Sequence, residues 1–313
     1  MTVLYVSHRL EEVLQIANRV TIIRDGRLVA TEHTSDLHYD RLVQLMVGRA
    51  LAVVDSSPEA QARVHPAEDA APALVLNDVT AEGVRDLSFE IRRGEIVGLT
   101  GLAGAGHESV ARVLVGQTKA EKGTVTVNGQ QMRLATMTPR IAASSGIALV
   151  PTDRQVSGLV DGFSVAENIT LPRLSRFMRR GWLSRMLEMA DARHWISSMR
   201  IAPSDPQKSV NELSGGNQQK VVIGKCLGVA DGVLVLADPT AGVDVGARVS
   251  IYERFLADAN QGLPILVCSS DPDDLVHLCD RVIVLYKGQI VAELRTDQIT
   301  KEAILHASGR KAA

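Results

Sequence analysis

The strongest constraint on the fold is an internal repeat, in which the first segment of the sequence matches the last segment without a gap. A shift of 262 positions places Leu4 on Leu266 and produces eight identities between residues 4–34 and 266–296. The identical residues of the first segment are Leu4, Ser7, Arg19, Val20, Gly26, Val29, Ala30 and Thr34. Several of these positions are polar or glycine, which a shared apolar pattern alone does not produce. The sequence therefore predicts the end of one domain followed by a whole copy of the same domain type.

Composition marks the border between the two copies. Residues 51–72 are rich in alanine, proline, serine and acidic residues, which is typical of a linker. We therefore expect residues 1–50 to be the C-terminal remnant of a first domain and residues 73–313 to be the second domain. Two origins stay open for the short first copy: a natural short subunit, or the product of a disrupted or wrongly started gene.

The order of predicted elements favours an α/β fold in the second copy. Apolar strands such as Ile96–Leu99 and Val233–Leu236 alternate with helical patterns, which indicates mixed layers of helices and sheet. The pattern is mostly helical across about residues 155–227, so we expect an inserted helical subdomain there. In the first copy, Val3–Val6 is predicted to be a short strand and Asp40–Val47 a short amphipathic helix.

Charge, hydropathy and cysteine usage exclude several classes of protein. The formal net charge is −2, so the chain lacks the basic field that binds nucleic acid. No apolar run reaches the ~18 residues that a membrane-spanning helix requires, and the N-terminus is too short in apolar residues for a signal peptide. The three cysteines form no CxxC pair, which fits buried thiols in a reducing compartment. We therefore expect a cytosolic protein that contacts a membrane only peripherally.

A glycine-rich stretch between a predicted strand and a predicted helix has the spacing of a phosphate-binding loop. Its glycines are Gly101, Gly104 and Gly106. Glycines let backbone N–H groups converge on phosphate oxygens at a helix N-terminus, where the helix dipole favours negative charge. A working loop continues with Lys, which reaches the β- and γ-phosphates, and with Ser or Thr, which ligates Mg²⁺.

The residues after the last glycine depart from that pattern. His107 stands at the lysine position, and its imidazole is shorter than a lysine side chain and mostly neutral at about pH 7. Glu108 stands at the Ser/Thr position, where its carboxylate repels phosphate, and Ser109 lies one residue too late to replace it. A plain strand–helix turn and a loop that binds nucleotide weakly both stay open.

The string LSGGNQQK, which begins at Leu213, is the most specific local signal. Ser214 precedes a predicted helix, and the N–H groups of Gly215 and Gly216 lie at its first turn, where helices bind anions. Gln218 follows within the same string. From the residues alone, a serine-capped helix without a ligand and a phosphate-binding helix are equally compatible with this pattern.

The LSGGNQQK string identifies a family. The chain resembles the ATP-binding cassette ATPases, and among them the tandem-cassette subunits of ribose-, galactose- and xylose-type importers. The resemblance covers nearly the whole chain except the linker and the last residues. Val233–Gly246 resembles the Walker B segment with its D-loop at Asp244, and Val150–Arg154 resembles the Q-loop region of a second cassette. His8 resembles the switch histidine of a first cassette.

Several positions depart from the pattern of that family. Its Walker B strand ends in Asp, which helps to hold Mg²⁺, and then Glu, which polarises the attacking water; here these positions hold Ala237 and Asp238. Asp is one methylene shorter than Glu, and catalysis is sensitive to displacements of ~1 Å. A slip that makes Asp238 the metal ligand would leave Pro239 as the base, which is chemically impossible. Thr152 replaces the Q-loop glutamine and Ser270 the switch histidine, so this cassette's own site is predicted to be degenerate.

The architecture of the family implies a role for such a chain. Two cassettes face each other head to tail, and each ATP lies between one cassette's phosphate loop and the other's signature. The resemblance implies that Ser214, Gly215 and Gly216 contact the γ-phosphate of an ATP whose Mg²⁺ is held mainly by a first cassette. His8 would be the switch histidine of that same site, and Phe89 is the candidate in the second copy for stacking on adenine. We expect the isolated chain to show little or no ATPase activity.

The same resemblance implies the partners. We expect membrane permease subunits, another ABC cassette and, indirectly, a periplasmic or extracellular sugar-binding protein, with this chain at the cytoplasmic face of the membrane. Two other classes stay open. The degenerate loop favours a non-hydrolytic regulatory or structural cassette. A soluble ATPase of DNA repair or translation is the other, and the near-neutral charge and the NQQK extension count against it.

Overall fold

The computed structural model describes residues 2–6, 10–24, 27–38, 41–42, 44–45, 63 and 71–309. The strands are β1 (Arg19–Arg24), β2 (Arg27–His33), β3 (Pro72–Ala81), β4 (Val84–Arg92), β5 (Ile96–Gly101), β6 (Ala120–Val127), β7 (Gln130–Arg133), β8 (Ile147–Val150), β9 (Met178–Arg179), β10 (Trp182–Leu183), β11 (Val233–Ala237), β12 (Ile265–Cys268), β13 (Arg281–Tyr286) and β14 (Gln289–Arg295). The helices are α1 (Leu10–Ile16), α2 (His107–Leu114), α3 (Pro139–Ser144), α4 (Val165–Thr170), α5 (Arg185–Ser198), α6 (Gly215–Leu227), α7 (Val245–Asn260), α8 (Pro272–Leu278) and α9 (Lys301–Ser308). In these ranges no helix has both the length and the apolar composition that crossing a bilayer requires.

The central layer of residues 71–309 is a six-stranded sheet in the order β14-β13-β5-β12-β11-β8. All neighbouring pairs are parallel except β13 with β14. Every residue of β11 and β12 is buried, as expected for the inner strands of a parallel sheet that is covered on both faces. The carboxyl ends of β5, β11 and β12 therefore meet at one edge, where open α/β sheets place their ligand sites.

Two apolar clusters cover the two faces of this sheet. On one face, α2 packs with an antiparallel sheet of four strands in the order β4-β3-β6-β7. On the other face, α6, α7 and α8 supply the cluster, whose largest members are Tyr252 and Phe255. Both side chains are fully buried. The sheet is thus the middle layer of three, with an apolar cluster on each face.

The segment between β8 and β11 is mostly helical, in agreement with the predicted insertion. It contains α4, α5 and α6, together with short 3₁₀ turns and the small hairpin of β9 and β10. A capping box begins α4: Ser164 Oγ accepts from the Glu167 N–H at 3.2 Å, and Glu167 Oε2 accepts from the Ser164 N–H at 2.9 Å. The Trp195 ring of α5 has the guanidinium carbons of Arg173 and Arg254 at 5.3 Å and 5.7 Å from its centre. Because Arg254 belongs to α7, its cation–π contact with Trp195 joins the helical segment to the main layers.

The sequence repeat is also a repeat of local structure. After the shift of 262 positions, α1, β1 and β2 have the same bounds as α8, β13 and β14. The two hairpins also share their register, including an irregularity after Ile22 in one and after Val284 in the other. A register slip of one residue would move every side chain to the opposite face, so this agreement reflects a specific common pattern.

The prediction of a strand at Val3–Val6 is wrong. These residues are exposed and form no strand, whereas the matching residues Ile265–Cys268 form β12, buried between β5 and β11. A strand needs hydrogen-bonded neighbours, and the described residues place none beside Val3–Val6. Of the predicted helix Asp40–Val47, residues 41–42 and 44–45 are helical, and the other four lie outside the described residues.

We expect Phe255→Ala to lower the free energy of unfolding by about 3–5 kcal/mol, because the ring is fully buried. The matched change Phe163→Ala should cost less than about 1 kcal/mol, since Phe163 is 38% exposed. Urea denaturation of the two variants under the same conditions measures the difference. Equal losses would contradict the place of Phe255 in the core.

Candidate functional site

The glycine-rich loop leads from the end of β5 into α2. A Cβ on Gly101 would lie 2.4 Å from the carbonyl oxygen of Leu285. Gly106 has φ of 107°, and a Cβ there would lie 2.1 Å from the carbonyl oxygen of Gly83. Gly104 also has positive φ, but a Cβ there would meet nothing within 4 Å. Neighbouring backbone thus requires two of the three glycines, and the third faces open space at the tip of the loop.

His107, the first residue of α2, is buried in the domain and only 1% exposed. Its Nε2 lies 3.1 Å from Ser270 Oγ, and its Nδ1 is buried without a hydrogen-bond partner among the described residues. Burial lowers the pKa of the imidazole, and the carboxylates of Glu108 and Asp238 partly oppose this shift. A neutral, buried imidazole therefore occupies the position at which a phosphate-binding loop has its lysine.

The two residues after His107 contact their own helix. Glu108 is exposed, and its carboxylate lies 4.0 Å from the Arg112 guanidinium one turn further along. Ser109 Oγ accepts a hydrogen bond from Arg112 at 3.3 Å. Negative charge in a first turn stabilises a helix. The same charge disfavours phosphate at this loop.

Asp238 follows β11 directly, at the edge where the strand ends meet. Its Oδ1 accepts from the Ser270 N–H at 3.0 Å and from the Ser269 hydroxyl at 3.2 Å, and its Oδ2 lies 3.4 Å from the Thr152 hydroxyl. Its φ of 41° lies in the left-handed region that side chains rarely adopt. The structure thus brings Thr152, Asp238 and Ser270 together and adds His107 through Ser270.

The sequence analysis did not predict a buried hydrogen-bond network that lies behind β11. The Ser269 hydroxyl lies 2.9 Å from Asp274 Oδ2, and Asp274 Oδ1 accepts from the hydroxyls of Thr240 and Tyr252, each at 2.6 Å. Burial raises the pKa of the Asp274 carboxyl group, and these hydroxyl donors partly offset the shift. The available signal was the repeat, which aligns Asp274 with another acidic residue, Glu12. The network fixes the segment after β12 against the turn after β11.

The residues at this edge do not fit a magnesium site. Mg²⁺ prefers oxygen ligands in octahedral geometry. Ala237, at the expected Asp position, has no side-chain oxygen, and the Asp238 carboxylate already accepts hydrogen bonds from protein donors. Among the described residues, no three His, Cys, Asp or Glu side chains lie close enough together to hold a metal ion. We therefore assign no Mg²⁺-dependent step to these residues.

The start of α6 presents a different surface. Ser214 holds the N-cap position, is exposed, and its hydroxyl accepts from Asn217 Nδ2 at 2.9 Å. A Cβ on Gly216 would lie 2.8 Å from the Ala247 Cβ, so α6 and α7 meet closely here. Asp244 caps α7 by accepting from the Ala247 N–H at 2.9 Å. The first turn of α6 therefore lies beside the predicted D-loop residue and is open to solvent at Ser214.

Four other residues that the sequence analysis predicted to be functional do not lie at either of these two surfaces or are not described. Leu213 is 6% exposed and packs in the apolar cluster with α6. Gln218 is buried, and its Nε2 donates to the Val210 carbonyl oxygen at 3.2 Å, so it fastens α6 to the preceding turn. Phe89 is buried in the cluster with the antiparallel sheet, so its ring is not free to stack on a base. His8 lies outside the described residues.

A parallel sheet with a glycine-rich turn from β5 into α2 defines a nucleotide-binding domain of the P-loop class. A family model described as ABC transporter matches residues 84–241. The chain belongs to this family, and its fold is that of an ATP-binding cassette.

Curated relatives and solved structures agree with this assignment. A ribose import ATP-binding protein of Streptomyces avermitilis is 39% identical over 312 residues, which are 99% of this chain and 60% of the relative. Another, from a Chelativorans species, is 40% identical over 309 residues, 98% of this chain and 60% of that protein. The chain thus spans about 60% of the length of these relatives.

Two solved structures share the fold at low identity. A nucleotide-free ATP-binding cassette from an ABC transporter has a TM-score of 0.63 at 21% identity, over 75% of this chain and 96% of that one. A dimeric ATP-binding cassette in a post-hydrolysis state, bound to ADP and phosphate, has a TM-score of 0.60 at 20% identity, over 71% of this chain and 98% of that one.

The buried imidazole makes stability depend on pH. Because the pKa of His107 is lower in the folded state than its ordinary value of 6.5, the unfolded chain binds this proton more readily. The stabilisation is complete above about pH 6.5 and is lost as the pH falls through the folded pKa. We expect the free energy of unfolding to fall more steeply between about pH 7 and 5 in the wild type than in His107→Gln, measured by urea denaturation.

The exposed His306 provides the control. His306→Gln should keep the pH dependence of the wild type. A wild-type protein and a His107→Gln variant that lose stability in parallel over this range would show that the imidazole is not held in its neutral form.

Proposed function

We propose that this chain is the ATP-binding subunit of a carbohydrate ABC importer and contributes its signature helix α6 to an ATP site shared with another cassette. The ribose import function named for its relatives supports the transport class. The observation that carries the proposal is a contrast within one domain. Ser214 is exposed at the start of α6, whereas His107 is neutral and buried and Asp238 is hydrogen-bonded to protein groups.

The first turn of α6 has the properties of an anion-binding surface. The first N–H groups of a helix have no intrahelical acceptor, and the helix dipole favours negative charge there. Ser214 is exposed and adds a hydroxyl, whereas Gly215 lies against the Arg154 guanidinium and Gly216 is buried against Ala247, so Ser214 is the open side of this turn. On this proposal these groups bind the γ-phosphate of an ATP. The phosphate loop, the Mg²⁺ and the catalytic Glu for that ATP belong to the other cassette.

The N-terminal unit supports a first cassette in this arrangement. It duplicates the end of the second domain, so we propose that residues 1–50 close a first cassette, residues 51–72 link the two and residues 73–313 form the second cassette. A small apolar cluster in the unit includes Ile22 and packs against Val245, the residue after the D-loop Asp244. This contact lies on the side of the second cassette that would face the shared site, to which His8 would contribute.

The importer assignment also names partners and a location. We propose that permease subunits in the membrane bind this chain at the cytoplasmic face and that a sugar-binding protein acts with them on the opposite side. The helical segment between β8 and β11 would transmit closure of the cassettes to the permease. The proposal specifies carbohydrate as the class of solute and no particular sugar.

A chimera tests the shared site. The part of the Streptomyces avermitilis relative that lies outside the match is fused to this chain in one polypeptide, in the order that the relative has. We expect Ser214→Arg to lower the ATPase rate of the chimera by at least ~100-fold, because the larger side chain blocks the γ-phosphate from the first turn of α6. Phosphate release at saturating ATP is the measurement, and equilibrium binding of ATP is recorded beside it.

Ser144 at the exposed end of α3 provides the matched control. Its hydroxyl donates to the Ile141 carbonyl oxygen of its own helix at 2.9 Å and makes no other hydrogen bond to the described residues. Ser144→Arg should leave the rate unchanged. A Ser214→Arg chimera that hydrolyses ATP as fast as this control would show that α6 takes no part in the reaction.

The isolated chain should not hydrolyse ATP. We expect its rate of phosphate release to equal that of Asp238→Asn, since Ala237 stands at the position of the metal-binding Asp and Asp238 at that of the catalytic Glu. A rate well above background in the wild type that disappears in Asp238→Asn would overturn this expectation.

The second candidate function is a non-hydrolytic regulatory or structural cassette. The hydrogen bonds that occupy the Asp238 carboxylate favour it. ATP binding without turnover in the chimera would support this candidate over the first.

A further inference from the structure

The segment after β8 lies lengthwise along the signature helix α6. Near the far end of α6, the Lys225 Nζ donates to the Gly158 carbonyl oxygen at 2.8 Å. Gly158 packs against Val222, where a Cβ on the glycine would come within 2.9 Å. The Cys226 thiol donates to the Leu149 carbonyl oxygen at 3.1 Å. Two contacts thus fasten this segment, and a third fastens β8 itself, to the C-terminal half of the helix.

Arg154, in a π-helical turn of the same segment, reaches the opposite end of α6. A Cβ on Gly215 would lie 2.7 Å from Arg154 Nη2, so the guanidinium occupies the space that the glycine leaves free. Its Nη1 donates to the Ala241 carbonyl oxygen at 3.1 Å, and a Cβ on Gly242 would lie 3.5 Å from the same nitrogen. The guanidinium therefore spans the first turn of α6 and the turn that follows β11.

Among the described residues no carboxylate pairs with Arg154, and its Nε is buried there without a hydrogen-bond partner. The guanidinium is therefore held by its fit between two backbone turns and by one hydrogen bond. Two residues earlier, the Thr152 hydroxyl lies 3.4 Å from Asp238 Oδ2. One short segment thus touches both the chain's own degenerate site and the signature helix.

We propose that Arg154 is a positioning residue that fixes the first turn of α6 against the turn after β11. A shift at Thr152 and Asp238 would then displace the serine and glycines of α6. The effect on a neighbouring cassette's ATP rests on the proposed function, whereas the hold on α6 does not. Arg154 would act through Gly215 and Ala241 and does not itself bind phosphate.

Hydrogen exchange in the isolated chain tests the hold on α6. The Gln218 N–H donates to the Ser214 carbonyl oxygen at 2.9 Å, so its exchange reports on the first turn. We expect Arg154→Ala to speed exchange at Gln218 by ~10-fold and to leave the Gly228 amide at the other end of α6 unchanged. Arg154→Lys should give an intermediate exchange rate. A lysine ammonium can donate to the Ala241 carbonyl oxygen but lacks the planar guanidinium that also packs against Gly215.

Arg176→Ala is the matched control, since Arg176 is exposed and donates to the Gly228 carbonyl oxygen at 3.5 Å. It should leave exchange at Gln218 unchanged. The proposal is overturned if Arg154→Ala exchanges at Gln218 like the wild type. It is equally overturned if exchange rises alike at Gln218 and Gly228, because that pattern indicates general loosening of the helix.

The chimera tests the effect on ATP. Arg154→Ala should raise the KM for ATP by ~5-fold with little change in kcat. If Ser214→Arg loses activity but Arg154→Ala keeps the wild-type KM, the proposed effect of Arg154 on ATP binding is contradicted and the shared ATP site is supported. Full activity in Ser214→Arg would instead remove the proposed function, and the exchange data alone would then decide whether Arg154 holds the helix.

Discussion

The hydrogen bonds to the Asp238 carboxylate determine what this cassette can do at its own strand ends. Ser269 and Ser270 follow β12, and Thr152 follows β8. These two strands flank β11, so donors from both sides of β11 converge on the carboxylate of Asp238. Parallel strands make this convergence possible, because their carboxyl ends meet at one edge of the sheet. A carboxylate engaged in this way, next to an alanine and a neutral imidazole, is poorly placed to activate water or hold a metal ion.

The signature helix retains what this edge lacks. The first N–H groups of a helix have no acceptor within it, and this helix begins with an exposed serine and two glycines, while the buried Leu213 and Gln218 lie on its interior side. The buried residues give the helix a defined position, and the exposed ones leave its N-terminus open. On the proposed function, the start of α6 keeps an exposed anion-binding serine although the strand ends of the same domain do not fit a metal ion.

Local sequence signals predicted much of the site, and contacts distant in sequence account for what they missed. Glycine spacing identified the loop from β5 into α2, and LSGGNQQK identified α6, because such turns and helix starts depend on adjacent residues. Val3–Val6 resembles a strand but has no neighbour to pair with among the described residues. The side chains of Asp274 and Arg154 acquire their roles from contacts with residues 34 and 87 positions away, respectively, which no local pattern shows.

Titration of the isolated chain with ATP, in the presence and absence of Mg²⁺, is the most direct test of the idea that this cassette cannot hold Mg·ATP itself. We expect weak binding whose affinity Mg²⁺ does not improve, because Glu108 and Ala237 stand at the two positions that would supply the Mg²⁺ ligands. Binding that tightens by ~10-fold or more when Mg²⁺ is added would contradict this expectation. It would mean that His107, Glu108 and Asp238 rearrange into a working nucleotide site.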